Sequence, residues 1–306
     1  MHFMKGFRIS NFYKEWGAFF IISFLGFGTS FFWIKVALRE LTALELATYR
    51  ITIASIALWC ITPLFRVKIP TNIKLLAKIT FLGVIGTFFP FMLTAWAEVY
   101  ISSSVAGILN SLTPIFTIIL SVFFLPDKEL NTKLILSVIL GFLGALLIFA
   151  DKLNVDSEME MILPELALIF CALCYATQAV YAKIHFKEQN FITLAVLSTT
   201  TAAILFWITL LMSQKEITFP QETSTIIAIL WMAIVASTIS LILLYYLIKS
   251  WTPTRVSFIT YAVPIIAMFL GVAVLGEQLK AHMIIGAIII IASIILSNQK
   301  LKRKAK

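Results

Sequence analysis

"ILNSLTPIFTIIL", residues 108 to 120, is apolar enough for the middle of a membrane helix, yet Pro114 stands inside it. Proline has no backbone donor, and its ring clashes with the carbonyl four residues back, here that of Asn110. A break at membrane depth is tolerated where protein or a water-filled cavity takes up the freed backbone groups. The stretch therefore raises two linked questions: whether the chain spans a membrane, and what lies beside the break.

Its surroundings answer the first. Of 306 residues 60% are apolar and only 13% charged, with a mean hydropathy of +0.99. A soluble chain is nearer half apolar and a quarter charged. A hydrocarbon core about 30 Å thick takes roughly 20 residues of helix. Ten apolar stretches of about that length follow one another, near 16–36, 43–65, 73–96, 100–124, 132–150, 162–183, 191–213, 225–248, 255–275 and 281–298. The expected fold is all-α and integral to the membrane, with ten transmembrane helices. Lipid-exposed segments must satisfy their own backbone, which excludes an open sheet. The linkers are too short for a separate soluble domain.

The formal net charge of +9 sorts by side. With the N-terminus inside, eighteen Lys and Arg fall on the inner side. Five fall outside (Lys35, Arg39, Lys152, Lys215 and Lys280), and Arg50 lies within a span. The bias predicts both termini in the cytoplasm of a bacterial inner membrane. The charge is thus a topology signal, and no nucleic-acid partner is expected. The first apolar run, about 21 residues long, reads as a first span rather than a cleaved leader, since it has no obvious small-x-small cleavage site. Residues 1–15 alternate basic and aromatic, and read either as a segment along the inner membrane surface or as a short tail. Residues 299–306 form a basic tail. Cys171 and Cys174 make a C-x-x-C inside an apolar helix, where two packed thiols are the reading; Cys60 stands alone.

The second question is met by an internal repeat. An offset of 148 places Lys35 on Lys183, Trp33 on Tyr181, and "IASIALW" (53–59) on "TAAILFW" (201–207). Further on, an offset of 150 places Trp96 on Tyr246 and Pro114 on Pro264. Residues 16–150 and 162–298 thus form two five-helix repeats. Five is odd, so the second repeat enters from the other side, which is the inverted plan of many secondary transporters. Each proline has a polar residue four positions earlier on the same face, Asn110 and Thr260. The fourth and ninth helices are therefore expected face to face near the midplane, bordering a cavity.

Taken in order, "GTSFFWIK" (28–35), "LATYR" (46–50), "SSVAGILNSLTP" (103–114), "TRVSFITYAVP" (254–264) and "LGEQL" (275–279) resemble motifs of the EamA family of the drug/metabolite transporter superfamily. The resemblance covers nearly the whole chain. It implies ten helices in two inverted repeats and export of a small organic metabolite. The chain departs from the pattern in "LPDKEL" (125–130), where Asp127 or Glu129 stands for the acidic residue of the turn, and at Ser198, which lies opposite Arg50.

Arg50 is costly, about 2.5–3.5 kcal/mol near the bilayer centre. It reads either as a contact for an anionic group or outer gate, or as half of a structural ion pair, with Glu98 or Glu45 as partner. Trp33, Trp96, Asn110, Pro114, Tyr175, Gln178, Tyr245, Tyr246, Thr260, Tyr261 and Pro264 are the candidate substrate contacts. Such an apolar, hydrogen-bonding lining suits an amino acid or a related amphipathic metabolite. No Asp or Glu is expected deep in a span, and all three histidines lie in loops or tails, which favours a facilitator or exchanger over a proton-coupled pump. An intramembrane enzyme lacks its motifs here: there is no H-E-x-x-H, nucleophile elbow or Walker lysine. A channel or a lipid carrier is the alternative class. No cofactor or metal is expected. The expected partners are a small-molecule substrate and membrane lipid, with the chain a monomer or homodimer.

Overall fold

The computed structural model describes residues 13–65, 67, 69–125, 132–148, 162–214 and 217–298. Asp127, Glu129, most of the N-terminal segment and the basic tail lie outside these. Ten helices appear among the described residues. They are α1 (Tyr13–Ala37), α2 (Ala43–Ile61), α3 (Ile73–Tyr100), α4 (Ser103–Phe124), α5 (Thr132–Ile148), α6 (Leu163–His185), α7 (Phe191–Met212), α8 (Thr223–Ser250), α9 (Pro253–Ala273) and α10 (Ala281–Asn298). Eight are long and apolar enough to cross a membrane; α5 and α10 have shorter apolar stretches. No strand occurs among the described residues.

Side-chain caps set the helix starts. Thr42 and Glu45 form a capping box at α2. Asn72 and Asn190 accept backbone N–H groups at α3 and α7. Ser102 and Thr252, separated by the repeat offset of 150, cap α4 and α9 in the same way.

The pseudo-twofold is visible in reciprocal contacts. Trp59 Nε1 donates to Thr200 Oγ1 at 2.9 Å, and Trp207 Nε1 donates to Thr52 Oγ1 at 2.8 Å. Each residue in one bond is the repeat counterpart of its equivalent in the other. Lys35 Nζ donates to the carbonyls of Glu98 and Ile101 at the end of α3 (2.5 and 2.7 Å). Lys183 does the same to Ile248 and Lys249 at the end of α8 (2.9 and 3.0 Å). These lysines satisfy carbonyls that a helix end leaves orphaned. Helices α5 and α10 cross at glycines: a Cβ on Gly144 would lie 2.8 Å from the Gly286 carbonyl oxygen, and one on Gly286 2.6 Å from that of Gly144. Such close approach through small residues is the usual way helices associate in lipid.

Both proline helices are broken. The backbone of α4 turns at Ser111 and Leu112 between two α-helical pieces, and α9 passes through a 3₁₀ turn at Phe258–Tyr261. The carbonyl of Asn110 accepts the Thr113 hydroxyl at 2.7 Å. The group freed by Pro114 is thus taken up by protein. Three further stretches wind as π-helix: Ile21–Phe27 in α1, Val84–Phe88 in α3 and Met232–Ile239 in α8. The last two begin 148 residues apart, at equivalent places in the repeats.

Candidate functional site

Helical periodicity brings one stripe of each central helix to a common cavity of about 70 Å³. From α1 come Phe27, Ser30, Phe31 and Ile34, at the i, i+3, i+4, i+7 spacing of a single face. From α3 come Phe91 and Thr94, and from α4 Asn110, Thr113 and Thr117. The second repeat supplies Tyr175, Gln178 and Ala179 of α6, Leu244 of α8, and Ser257 and Thr260 of α9. The lining is paired by the repeat. Phe27, Ser30 and Phe31 stand at the offset of 148 from Tyr175, Gln178 and Ala179; Thr94 and Asn110 stand 150 from Leu244 and Thr260. The cavity therefore sits on the pseudo-twofold axis. A water needs roughly 10–15 Å³ of such room, so a few waters fit, but no drug-sized ligand does in this closed arrangement.

Arg50 is the charged residue of this lining, and the repeat gives it no charged counterpart: the equivalent position is Ser198. It is buried, with Nε donating to Ser237 Oγ at 2.9 Å, a long contact from one terminal nitrogen to Met232 Sδ at 3.9 Å, and its guanidinium 4.2 Å from the centre of the Phe91 ring. The ring face attracts the cation. A guanidinium has five N–H donors, and two of them are engaged among the described residues. On the other wall, Gln178 Nε2 donates to the Tyr245 hydroxyl at 3.1 Å, and that hydroxyl donates to Ser198 Oγ at 3.3 Å.

Five sequence candidates thus meet at the cavity: Arg50, Asn110, Tyr175, Gln178 and Thr260. The others do not line it. Trp33 flanks the α1 stripe and packs beside Trp231, ring centres 6.2 Å apart. Trp96 faces away from Phe91 and Thr94 and borders a surface recess with Tyr100. Tyr245 backs the wall through Gln178, Tyr246 packs on Phe191, and Tyr261 stacks on Phe258. Pro114 and Pro264 are buried in helix packing and shape the cavity without lining it. Phe27, Ser30, Phe31, Phe91, Thr94 and Thr113 were missed. The offset of 148 applied to Tyr175 and Gln178 points to Phe27 and Ser30.

One expectation about charge needs correction. Arg50 and Glu98 do not pair: the partners of Arg50 are Ser237, Met232 and Phe91, while neither carboxylate oxygen of Glu98 has a hydrogen bond. The Phe91 ring and the Ser237 hydroxyl supply what an ion pair was expected to supply. Among the described residues no Asp or Glu lies deep in a span, but carboxylates are buried near the helix ends. Glu98, in the last turn of α3, is 0% exposed; Glu45 and Glu165 are buried near helix starts. The paired thiols Cys171 and Cys174 are both free and buried, with Cys171 Sγ donating to the Pro90 carbonyl at 3.6 Å.

The EamA-like transporter family model matches residues 15–150 and 162–299, nearly the whole chain in two copies. The chain belongs to the EamA-like transporter family. Among its relatives is "Uncharacterized transporter YcxC" of Bacillus subtilis (strain 168), 25% identical, with 91% of each chain covered. An "Uncharacterized transporter" of Archaeoglobus fulgidus is 26% identical over 89% of this chain and 95% of its own. A solved crystal structure, 18% identical, superposes with a TM-score of 0.65 over 90% of this chain and 97% of the other, which shows the same fold. In this EamA-like chain the pseudo-twofold cavity is the place where two matching repeats meet, and transport is the activity that its family and relatives carry.

Proposed function

We propose that the chain carries an amphipathic organic metabolite with a carboxylate, an amino acid or a close relative, out of the cytoplasm by alternating access. One observation carries the reading: Arg50 lines an otherwise apolar and hydroxyl-bearing cavity with guanidinium donors left over. A carboxylate is the group that suits an arginine fork. Phe27, Phe31, Phe91 and Tyr175 offer apolar surface for the rest of such a molecule, and Asn110 and Gln178 offer amide donors and acceptors. The position on the pseudo-twofold supports alternating access, since exchange of conformation between two like repeats leaves the axis in place. The excess of Lys and Arg on one side supports cytoplasmic termini in an inner membrane.

The test is a panel of amino acids, nucleosides, organic acids and polyamines, presented to the purified protein in liposomes. Thermal stabilisation is read first, then saturable uptake and its stimulation by solute on the opposite side. A carboxylate-bearing solute should stabilise the protein and move saturably, and Arg50→Gln should raise its KM at least tenfold. Non-saturating flux would replace the carrier by a channel. Preference for a polyamine, or an unchanged KM, would remove Arg50 from the site.

A further inference from the structure

Glu98 is a buried carboxylate that neither the cavity nor the helix caps employ. It is fully enclosed, and neither of its oxygens has a hydrogen-bond partner among the described residues. Glu45 and Glu277, by contrast, each accept several N–H or O–H groups. Its place is suggestive: Phe91, Thr94 and Glu98 lie at i, i+3 and i+7 on one face of α3. The first two line the cavity, and Glu98 borders a vestibule of about 300 Å³ beyond it. Four charges face Glu98 or share that vestibule: Lys35 of α1, Arg39 after α1, Arg50 of α2 and Glu277 after α9. None makes a hydrogen bond to its carboxyl. Lys35, the nearest in sequence pattern, turns its ammonium to the carbonyls of Glu98 and Ile101.

The repeat shows that the fold does not need this carboxylate. At the offset of 150 its counterpart is Ile248, also buried, and Lys183 caps the end of α8 just as well beside it. A carboxylate buried without partner or cap is costly unless it takes up a proton.

We infer that Glu98 is a proton-binding site that couples the carrier to a proton gradient. One proton passes from hydronium in the vestibule to a carboxylate oxygen, forming an O–H bond and leaving water; it returns to water when the site is exposed in another conformation. The use made of the proton rests on the carrier reading, but its binding does not, so the two fail separately.

The experiment is infrared titration of the full chain in lipid, with ¹³C-labelled glutamate and no transported solute. Near neutral pH, where exposed carboxylates are ionised, a protonated-carboxyl band should be present, shift with the glutamate label, and disappear reversibly as pH rises further. It should be missing from E98Q. In E98D a protonated band should persist but no longer respond to the glutamate label, which serves equally if E98Q does not fold. Absence of the band at every pH, its persistence in E98Q, or a band that never responds to pH would each overturn the inference, and would leave saturable flux through the carrier untouched.

Discussion

Among single residues, Arg50 is the most demanding. Burying a guanidinium inside a helix bundle requires partners, and Ser237 and the Phe91 ring provide them from α8 and α3. Replacing it with alanine removes a hydrogen bond to a charged group, worth about 1.5–3 kcal/mol, together with the ring contact. Arg50→Ala should lower the unfolding temperature in detergent by more than Glu98→Ala, whose oxygens make no bond to lose. Equal temperatures would show that Ser237 and Phe91 do not anchor the guanidinium. Glu40 offers a contrast at the surface. Its carboxylate accepts the backbone N–H of Gln221 at 2.5 Å, which holds its pKa below the ordinary carboxylate value. The folded pKa is depressed, so this contribution is full above the unfolded value of about 4 and is lost as pH falls through the lower, folded value. Glu40→Gln should flatten the dependence of stability on pH below about 4, and an unchanged acid limb would show that the tie to Gln221 is immaterial. Arg50 was legible in the sequence as a costly charge, and Glu98 as a candidate partner for it. Their partners were not, because nothing in a local pattern says which hydroxyl or ring a folded chain will bring up from a distant helix.

At the scale of the element, apolar length and the two prolines marked the spans and their breaks, since both effects are local. The breaks at Asn110–Thr113 and Phe258–Tyr261 fall where Pro114 and Pro264 deny the helix a donor. The π-helical turns of α1 and α8 had no such sign, for they contain no proline, whereas that of α3 ends just before Pro90, which denies the Gly86 carbonyl its helical donor. Gly86, inside the α3 turn, lies against Gln178 so closely that a Cβ would collide with its side chain. Periodicity explains the candidate site in the same way. Tyr175 and Gln178 were found because they share a face, whereas Trp33 and Trp96 were selected as aromatics and sit off the stripes that reach the cavity. The crossing of α5 and α10 allows a firm expectation. At Gly144 and Gly286 an added methyl meets backbone, which cannot rotate away. Gly286→Ala should therefore destabilise the protein by about 1–3 kcal/mol, the usual cost of overpacking. Thermal unfolding measures this, and no change would mean that the two helices separate freely.

For the whole molecule, the repeat was readable because duplicated halves keep their offsets, and the reciprocal Trp59–Thr200 and Trp207–Thr52 bonds are its structural expression. What the offsets did not disclose is which end of the cavity is shut, since a symmetric sequence is compatible with either. Here one end is held by a latch between the halves. Gly276, at φ +68°, turns the chain after α9 so that Glu277 reaches the start of α4. Its carboxylate accepts the N–H and hydroxyl groups of Ser103 (both 2.7 Å) and of Ser104 (3.0 and 2.5 Å). A carboxylate at a helix N-terminus is favoured by the orphan donors and the dipole there. Alternating access requires this latch to open once per cycle. Gly271 lies directly against Ser104, so cysteines at the two positions, in a Cys60→Ser background, should cross-link on oxidation. The oxidised protein should remain folded and lose at least nine-tenths of its saturable flux, and a reductant should restore it. Flux that continues with α4 and α9 covalently joined would mean that these helices never part at this end, and that the solute takes a path other than the axis between the repeats.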